Sequence, residues 1–117
     1  DGRKAYGEMA RRVSEIANKL YYLPQKHIYL IAKQTLVDES GIMRKKPYFP
    51  GQELNVRIPH LFDEILHIGQ VNIPNQPKPV TAIRTAETFD IMARDRSGNL
   101  SEIEPPDLSA LFTKAML

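Results

Sequence analysis

Apolar residues recur at spacings of three and four at the start of the chain. Ala5, Met9, Val13, Ile16, Ala17 and Leu20 thereby share one face, which predicts a helix. Arg3, Arg11, Arg12 and Lys19 fall mainly on the opposite side, where water solvates them. Pro24 ends this helix, because its ring denies the preceding residue a comfortable helical ψ. The pattern then changes to a short, nearly continuous apolar run, His27-Ile28-Tyr29-Leu30-Ile31-Ala32, the composition of a strand covered on both faces. Helix, tight turn and buried strand together predict the αβ half of a parallel α/β unit.

From Thr35 to Gly51 the periodicity breaks, and Asp38-Glu39-Ser40-Gly41 and Pro47 to Gly51 read as loop. Gln52 to Ile58 reads as a short helix stopped by Pro59. Leu61 to Ile68 reads as a strand, with a helix as competitor. Pro74, Pro77 and Pro79 mark a turn. Val80 to Arg84 and Thr88 to Arg94 are further strands; in the second, Phe89, Ile91 and Ala93 alternate with Asp90, Met92 and Arg94. Ser97-Gly98-Asn99 is a turn, and Asp107 is the N-cap of a last helix carrying Leu108, Leu111, Phe112 and Met116.

The chain has 117 residues, the length of one domain, so residues 1–117 are expected to form a single unit. Hydrophobic residues at 42% and charged residues at 26% predict a packed core rather than disorder. No cysteine is present, which removes disulfides and thiolate metal sites. No apolar run approaches the roughly 18 residues needed to span a bilayer. The first residues, DGRKAYGEMARR, carry charge where a signal peptide needs an apolar stretch. The expectation is a soluble intracellular α/β unit without a complete catalytic site. A net charge of +2 does not by itself call for nucleic acid; local clustering would have to carry that argument.

Familiar catalytic signatures are missing. There is no G-x-x-x-x-G-K-[ST] or G-x-G-x-x-G to cradle phosphates, and no G-x-S-x-G elbow. His27, His60 and His67 lack metal-ligand spacing and read as surface or strand-end histidines. Asp38-Glu39 and Asp63-Glu64 are sequence neighbours whose side chains point to opposite faces of a strand, which favours solvated charge over acid–base work. Arg44-Lys45-Lys46 is the densest positive cluster. With Tyr48 and Phe49 it combines phosphate attraction with base stacking, the pairing used for single strands; the alternative is a surface loop with its aromatics tucked inward. Arg94 and Arg96, two apart on a strand, present two always-charged forks suited to phosphate, or else an ion-pair patch with Asp90 or Asp95.

Four segments together resemble the RecA-like ATPases, specifically the phage nucleotide-binding proteins of single-strand annealing and recombination. IYLIAKQT, from Ile28, resembles the core strand that ends in a polar residue facing the γ-phosphate, a position Gln34 would hold. GQELNVRIPHLFDEILHIG, from Gly51, resembles the segment after the DNA-binding loop. TFDIMARDRSG, from Thr88, resembles the strand whose two basic residues reach the neighbouring subunit's nucleotide, here Arg94 and Arg96. EIEPPDLSALFTKAM, from Glu102, resembles that family's C-terminal end. The resemblance implies part of a RecA-like sheet: one buried parallel strand after an N-terminal helix, then an antiparallel extension and a short C-terminal helix. It implies ATP and Mg as cofactors, with most ligands ahead of Asp1, where the phosphate loop and the metal-supporting Asp strand would lie. It implies catalytic roles for Gln34, Arg94 and Arg96, and a single-stranded DNA contact at Arg44, Lys45, Lys46, Tyr48 and Phe49. The partners would be a homo-oligomer or the missing N-terminal half, with no membrane, in the cytoplasm of a bacterial host. The alternatives are a relative that has lost the nucleotide half and serves as an interaction scaffold, and a small nucleic-acid-binding protein that needs no nucleotide.

Overall fold

The computed structural model describes residues 2–117. The chain begins with α1 (Gly2–Tyr21) and continues through β1 (Gln34–Glu39), β2 (Ile42–Pro47) and α2 (Gln52–Leu61). There follow β3 (Glu64–Ile65), β4 (His67–Val71), β5 (Val80–Arg84), β6 (Arg94–Asp95), β7 (Ile103–Glu104) and α3 (Leu108–Ala115). The fold is thus mixed α/β, with three helices and small, mainly antiparallel sheets. It divides into two compact units. The first runs to Leu36 and resumes over Lys46–Phe62; the second comprises Val37–Lys45 and Asp63–Leu117.

In the first unit α1 packs on α2. Ala17, Leu54 and Ile58 form the buried centre, with Ala10, Val13, Phe49, Leu61 and Phe62 against it. Ile16, expected on the inner face of α1, is 59% exposed. The outer face is braced by i,i+3 and i,i+4 pairs of Arg11 with Glu8 (2.8 Å) and Glu15 (2.5 Å). Gly51 precedes α2 at φ 84, a conformation that L side chains resist. Asn55 fastens the entry to α2 by accepting from the Phe49 N–H (2.9 Å) and donating to the Gly51 carbonyl (2.8 Å). The helix runs through Pro59 to Leu61 instead of stopping at Ile58. A proline in the last turn forfeits one hydrogen bond, and burial of Leu54, Ile58 and Pro59 itself outweighs that loss.

The segment His27 to Ala32 is not the expected buried parallel strand. It forms no ladder, and Tyr29, Leu30 and Ile31 are exposed, Ile31 by 94%. An apolar run becomes an interior strand only when neighbouring backbone lies about 4.8 Å away on its flanks. The segment belongs to none of the sheets of the described residues, and no RecA-like parallel sheet is present among them.

The stretch expected as loop from Thr35 is instead the β1–β2 hairpin. Ser40 (φ 55) and Gly41 (φ 87) make a two-residue turn with both residues left-handed, which matches strand twist. Asp38 Oδ1 accepts from the Gly41 N–H at 2.9 Å.

In the second unit β4 and β5 pair antiparallel from His67↔Arg84 to Val71↔Val80, and β7 adds through Ile83↔Glu104 and Arg84↔Ile103. A separate short ladder joins β3 to β6, with Glu64 opposite Asp95 and Ile65 opposite Arg94. Thr88 to Arg94 is not one strand. Ile91 makes a single parallel bridge to Lys45, Phe89 is 78% exposed, and strand pairing resumes only at Arg94. Ile65, Val71, Ala82, Ile83, Ile91, Ala93 and Leu111 are buried. α3 begins at Asp107, whose carboxylate accepts from the Ala110 N–H, as expected of an N-cap. Lys114 Nζ reaches the buried Glu104 at 2.5 Å and ties α3 to β7.

Candidate functional site

The β3–β6 ladder gathers five charged side chains in the second unit: Asp63, Glu64, Arg94, Asp95 and Arg96. Residues directly opposite on antiparallel strands project on the same side, so the pairing sets the Glu64 carboxyl against that of Asp95. Two carboxylates there would repel, and one proton between them turns repulsion into a hydrogen bond. Burial is the largest cause that raises Glu64, followed by the bond to Asp95 and the charges of Asp95 and Asp63; together they push it up to about 8. Glu64 Oε2 is buried with no conventional donor facing it, in keeping with a bond that exists only while the carboxyl is protonated.

Asp95 moves the other way. Burial would raise it, but hydrogen bonds from Ser97, Glu64 and the backbone N–H groups of Leu100 and Ser97 hold it below the ordinary carboxylate value. Asp95 Oδ1 accepts from the Ser97 N–H (2.9 Å) and Oγ (2.6 Å), while Oδ2 accepts from the Leu100 N–H (3.1 Å). This carboxylate organises the Ser97-Gly98-Asn99 turn, where Gly98 sits at φ 73. The proton therefore resides on Glu64 near neutrality, and the two groups titrate as a pair.

Arg94 and Arg96 are brought near each other. Burial, then the positive charge of Arg96, lowers Arg94, while Asp63 and Glu64 raise it. Arg96 pairs with Asp63 (3.4 Å), and its N–H donates to the Asp63 carbonyl (3.1 Å). Beside Arg94 opens a cleft of about 390 Å³, lined also by Thr85, Glu87, Ala93, Asp95 and Glu102 among others. The Arg94 guanidinium, in the wall of this cleft, can grip phosphate oxygens.

The remaining expected site residues lie elsewhere. Gln34 opens β1, is exposed and belongs to the first unit. Arg44 is four-fifths covered and salt-bridged to Glu39 (3.3 Å) and Glu87. Lys45 is bound through its backbone, donating to the Asp90 carbonyl (2.7 Å) and accepting from the Met92 N–H (2.9 Å). Lys46, Tyr48 and Phe49 belong to the first unit, whereas Arg44 and Lys45 belong to the second. Tyr48 is 49% exposed, but Phe49 is packed on the Ala17–Leu54–Ile58 core.

Sequence reasoning read Glu64 as solvated charge beside Asp63 and Asp95 as an ion-pair partner of the arginines, and did not pair the two acids with each other. The available signal was Asp95 itself, an acid set between the two arginines; its cross-strand partner depends on a non-local pairing. Among the described residues no group of three His, Cys, Asp or Glu side chains is placed to hold a metal ion, and no helix is long and apolar enough to cross a membrane. Set against protein-family models, curated proteins and solved structures, the chain finds no match in any of the three.

Proposed function

We propose that this chain is the C-terminal portion of a RecA-like ATP-binding domain acting on single-stranded DNA in recombination or annealing. The observation that carries the reading is Arg94 in the wall of an open cleft, with Arg96 two residues along the chain. Burial first, then the charge of Arg96, disfavours the charged Arg94 guanidinium; an anion in the cleft favours it, and the γ-phosphate of ATP is such an anion. The apolar segment at Tyr29 to Ile31 adds support, because an interior strand of a RecA-like sheet has this composition and needs flanking strands to cover it. The phosphate loop is not in this sequence, so the chain's own contribution is charge rather than a complete active site. In this reading Gln34 orients the attacking water at its own subunit's nucleotide, while Arg94 and Arg96 stabilise charge that develops on the neighbouring subunit's transferred phosphoryl group. Magnesium would neutralise phosphate charge through ligands supplied by the complementary half. Of the residues expected at DNA, Lys46 and the half-exposed Tyr48, both in the first unit, are the ones this reading keeps there.

ATP hydrolysis by the chain joined to a half that carries the phosphate loop tests this. Arg94→Ala or Arg96→Ala should lower turnover by about 10³-fold or more, the scale of an arginine finger, while ATP affinity changes little. Turnover that survives both substitutions would remove the arginines from the mechanism. The isolated chain should hydrolyse no ATP above background.

A further inference from the structure

One strand of the second unit's three-stranded sheet is unlike the others in its charge. β1, β2, β3, β5, β6 and β7 each carry Asp, Glu, Lys or Arg, whereas β4, His-Ile-Gly-Gln-Val, carries none. β4 is also an edge: β5 pairs with one side of it, and no strand of the described residues pairs with the other. The register decides which backbone groups face that open side. The Thr85 N–H donates to the Glu102 carbonyl (3.0 Å) and continues the β5–β7 ladder, so Thr85 and Ile83 turn their backbone groups toward β7. Val80, Ala82 and Arg84 then turn theirs toward Val71, Gly69 and His67. Ile68 and Gln70 are left pointing outward, and among the described residues neither makes a backbone bond on that side. Both are exposed, Ile68 by 63%.

Proteins blunt such edges with charge, proline or a bulge, because bare N–H and C=O groups recruit another strand. β4 has none of these, and its five residues pair with β5 without a break in register. We propose that β4 pairs antiparallel with β4 of a second copy of this chain, about a two-fold axis at Gly69, and joins two three-stranded sheets into one. A second copy fits because the outward groups are symmetric about Gly69. Ile68 of each copy then meets Gln70 of the other, and both pairs exchange N–H···O=C bonds. An edge without formal charge also meets itself without repulsion. The two Ile68 side chains come diagonal to one another across the axis, with backbones about 7–8 Å apart, and shed water together. Such a contact is isologous and closes at two copies. It is separate from any head-to-tail contact that carries Arg94 to a neighbour's nucleotide, and it does not rest on the ATP reading.

The test is sedimentation equilibrium of the full chain between about 10 μM and about 1 mM, the range in which a weak pairing of this size is populated. The average mass should rise from one chain toward two and no further. Amide exchange at Ile68 and Gln70, read in the same samples, should slow as the dimer fills. Ile68→Pro deletes an outward N–H that β5 does not use, and should weaken association about tenfold or more. Ile68→Lys leaves the backbone intact, sets two ammoniums diagonal across the axis, and should weaken it comparably. Phe89→Lys, at a 78% exposed residue of the same unit, should change nothing. The chain has no cysteine, so a mixture of Ile68→Cys and Gln70→Cys chains reports the register: each should cross-link to the other in preference to itself. A chain that stays monomeric throughout overturns the proposal. So does association that is undiminished in Ile68→Lys, association that Phe89→Lys abolishes, or a preference for self-cross-links.

Discussion

The two units solve the same problem in opposite ways. The first is held by one small apolar centre, Ala17, Leu54 and Ile58, and leaves Tyr22, Tyr29, Leu30 and Ile31 in water. The second buries short aliphatic residues along its strands and sews its loops with carboxylates: Asp95 at one turn, Glu104 against Lys114, Asp107 at the start of α3. Apolar contact is non-directional, so a unit built on it is completed by any surface of suitable shape. Carboxylate ties are directional and finish within the unit. In the proposed reading the first unit is the one that a complementary half covers, and the second is the one that presents fixed charge.

Substitutions that delete the first unit's centre should have the largest effect. Leu54→Ala removes a fully buried side chain and should cost about 2–5 kcal/mol, read as lost amide protection in α1 and α2. A cost under about 1 kcal/mol would mean that this centre is not what holds the helices.

The matching deletion in the second unit removes a polar tie. Glu104→Ala strands the Lys114 ammonium and the Ser101 N–H (2.8 Å from Glu104 Oε1) and should cost about 2–4 kcal/mol in denaturant unfolding. Lys114 first, and the Ser101 N–H after it, hold Glu104 below its ordinary value, so this contribution fades as pH falls through the carboxylate range. A Glu104→Gln protein as stable as the parent would show the tie to be ornamental.

The Glu64–Asp95 pair gives the second unit a pH dependence. Glu64 holds its proton more tightly folded than unfolded, so its contribution is full below about 4.5, declines as pH rises toward about 8, and is flat beyond. Glu64→Gln donates to Asp95 at every pH. It should flatten that decline and stabilise the protein by about 1–2 kcal/mol at the alkaline end. Stability that rises between those limits in the parent would contradict the shared proton.

The smallest expected effect is Ile31→Lys. With 94% of the residue exposed, stability of the chain alone should change by less than about 0.5 kcal/mol, whereas joining to a complementary half should be strongly impaired.

Local chemistry was legible in the sequence, and non-local pairing was not. The Asp107 cap, the Ser97-Gly98-Asn99 turn, the first helix and the Val80–Arg84 strand follow from residues a few positions apart. The β1–β2 hairpin was hidden because Asp38-Glu39-Ser40-Gly41 reads equally as the middle of a loop and as a tight turn with its flanks. His27 to Ala32 shows the converse: composition announces a buried strand, but burial depends on partners that no composition supplies. The Arg94–Arg96 pair could be read from spacing alone. Its setting against Asp63 and Glu64 required knowing that β6 lies on β3.

The most direct test of the proposed half-domain is backbone hydrogen exchange at Ile28, Tyr29, Leu30 and Ile31. In the chain alone these amides, outside any ladder, should exchange nearly unprotected. Joined to a half that carries a phosphate-binding loop, they should become among the slowest in the protein, as amides of an interior strand are. If they exchange as fast in the joined, ATP-binding protein as in the isolated chain, the segment is not a strand awaiting its sheet, and the RecA-like account fails.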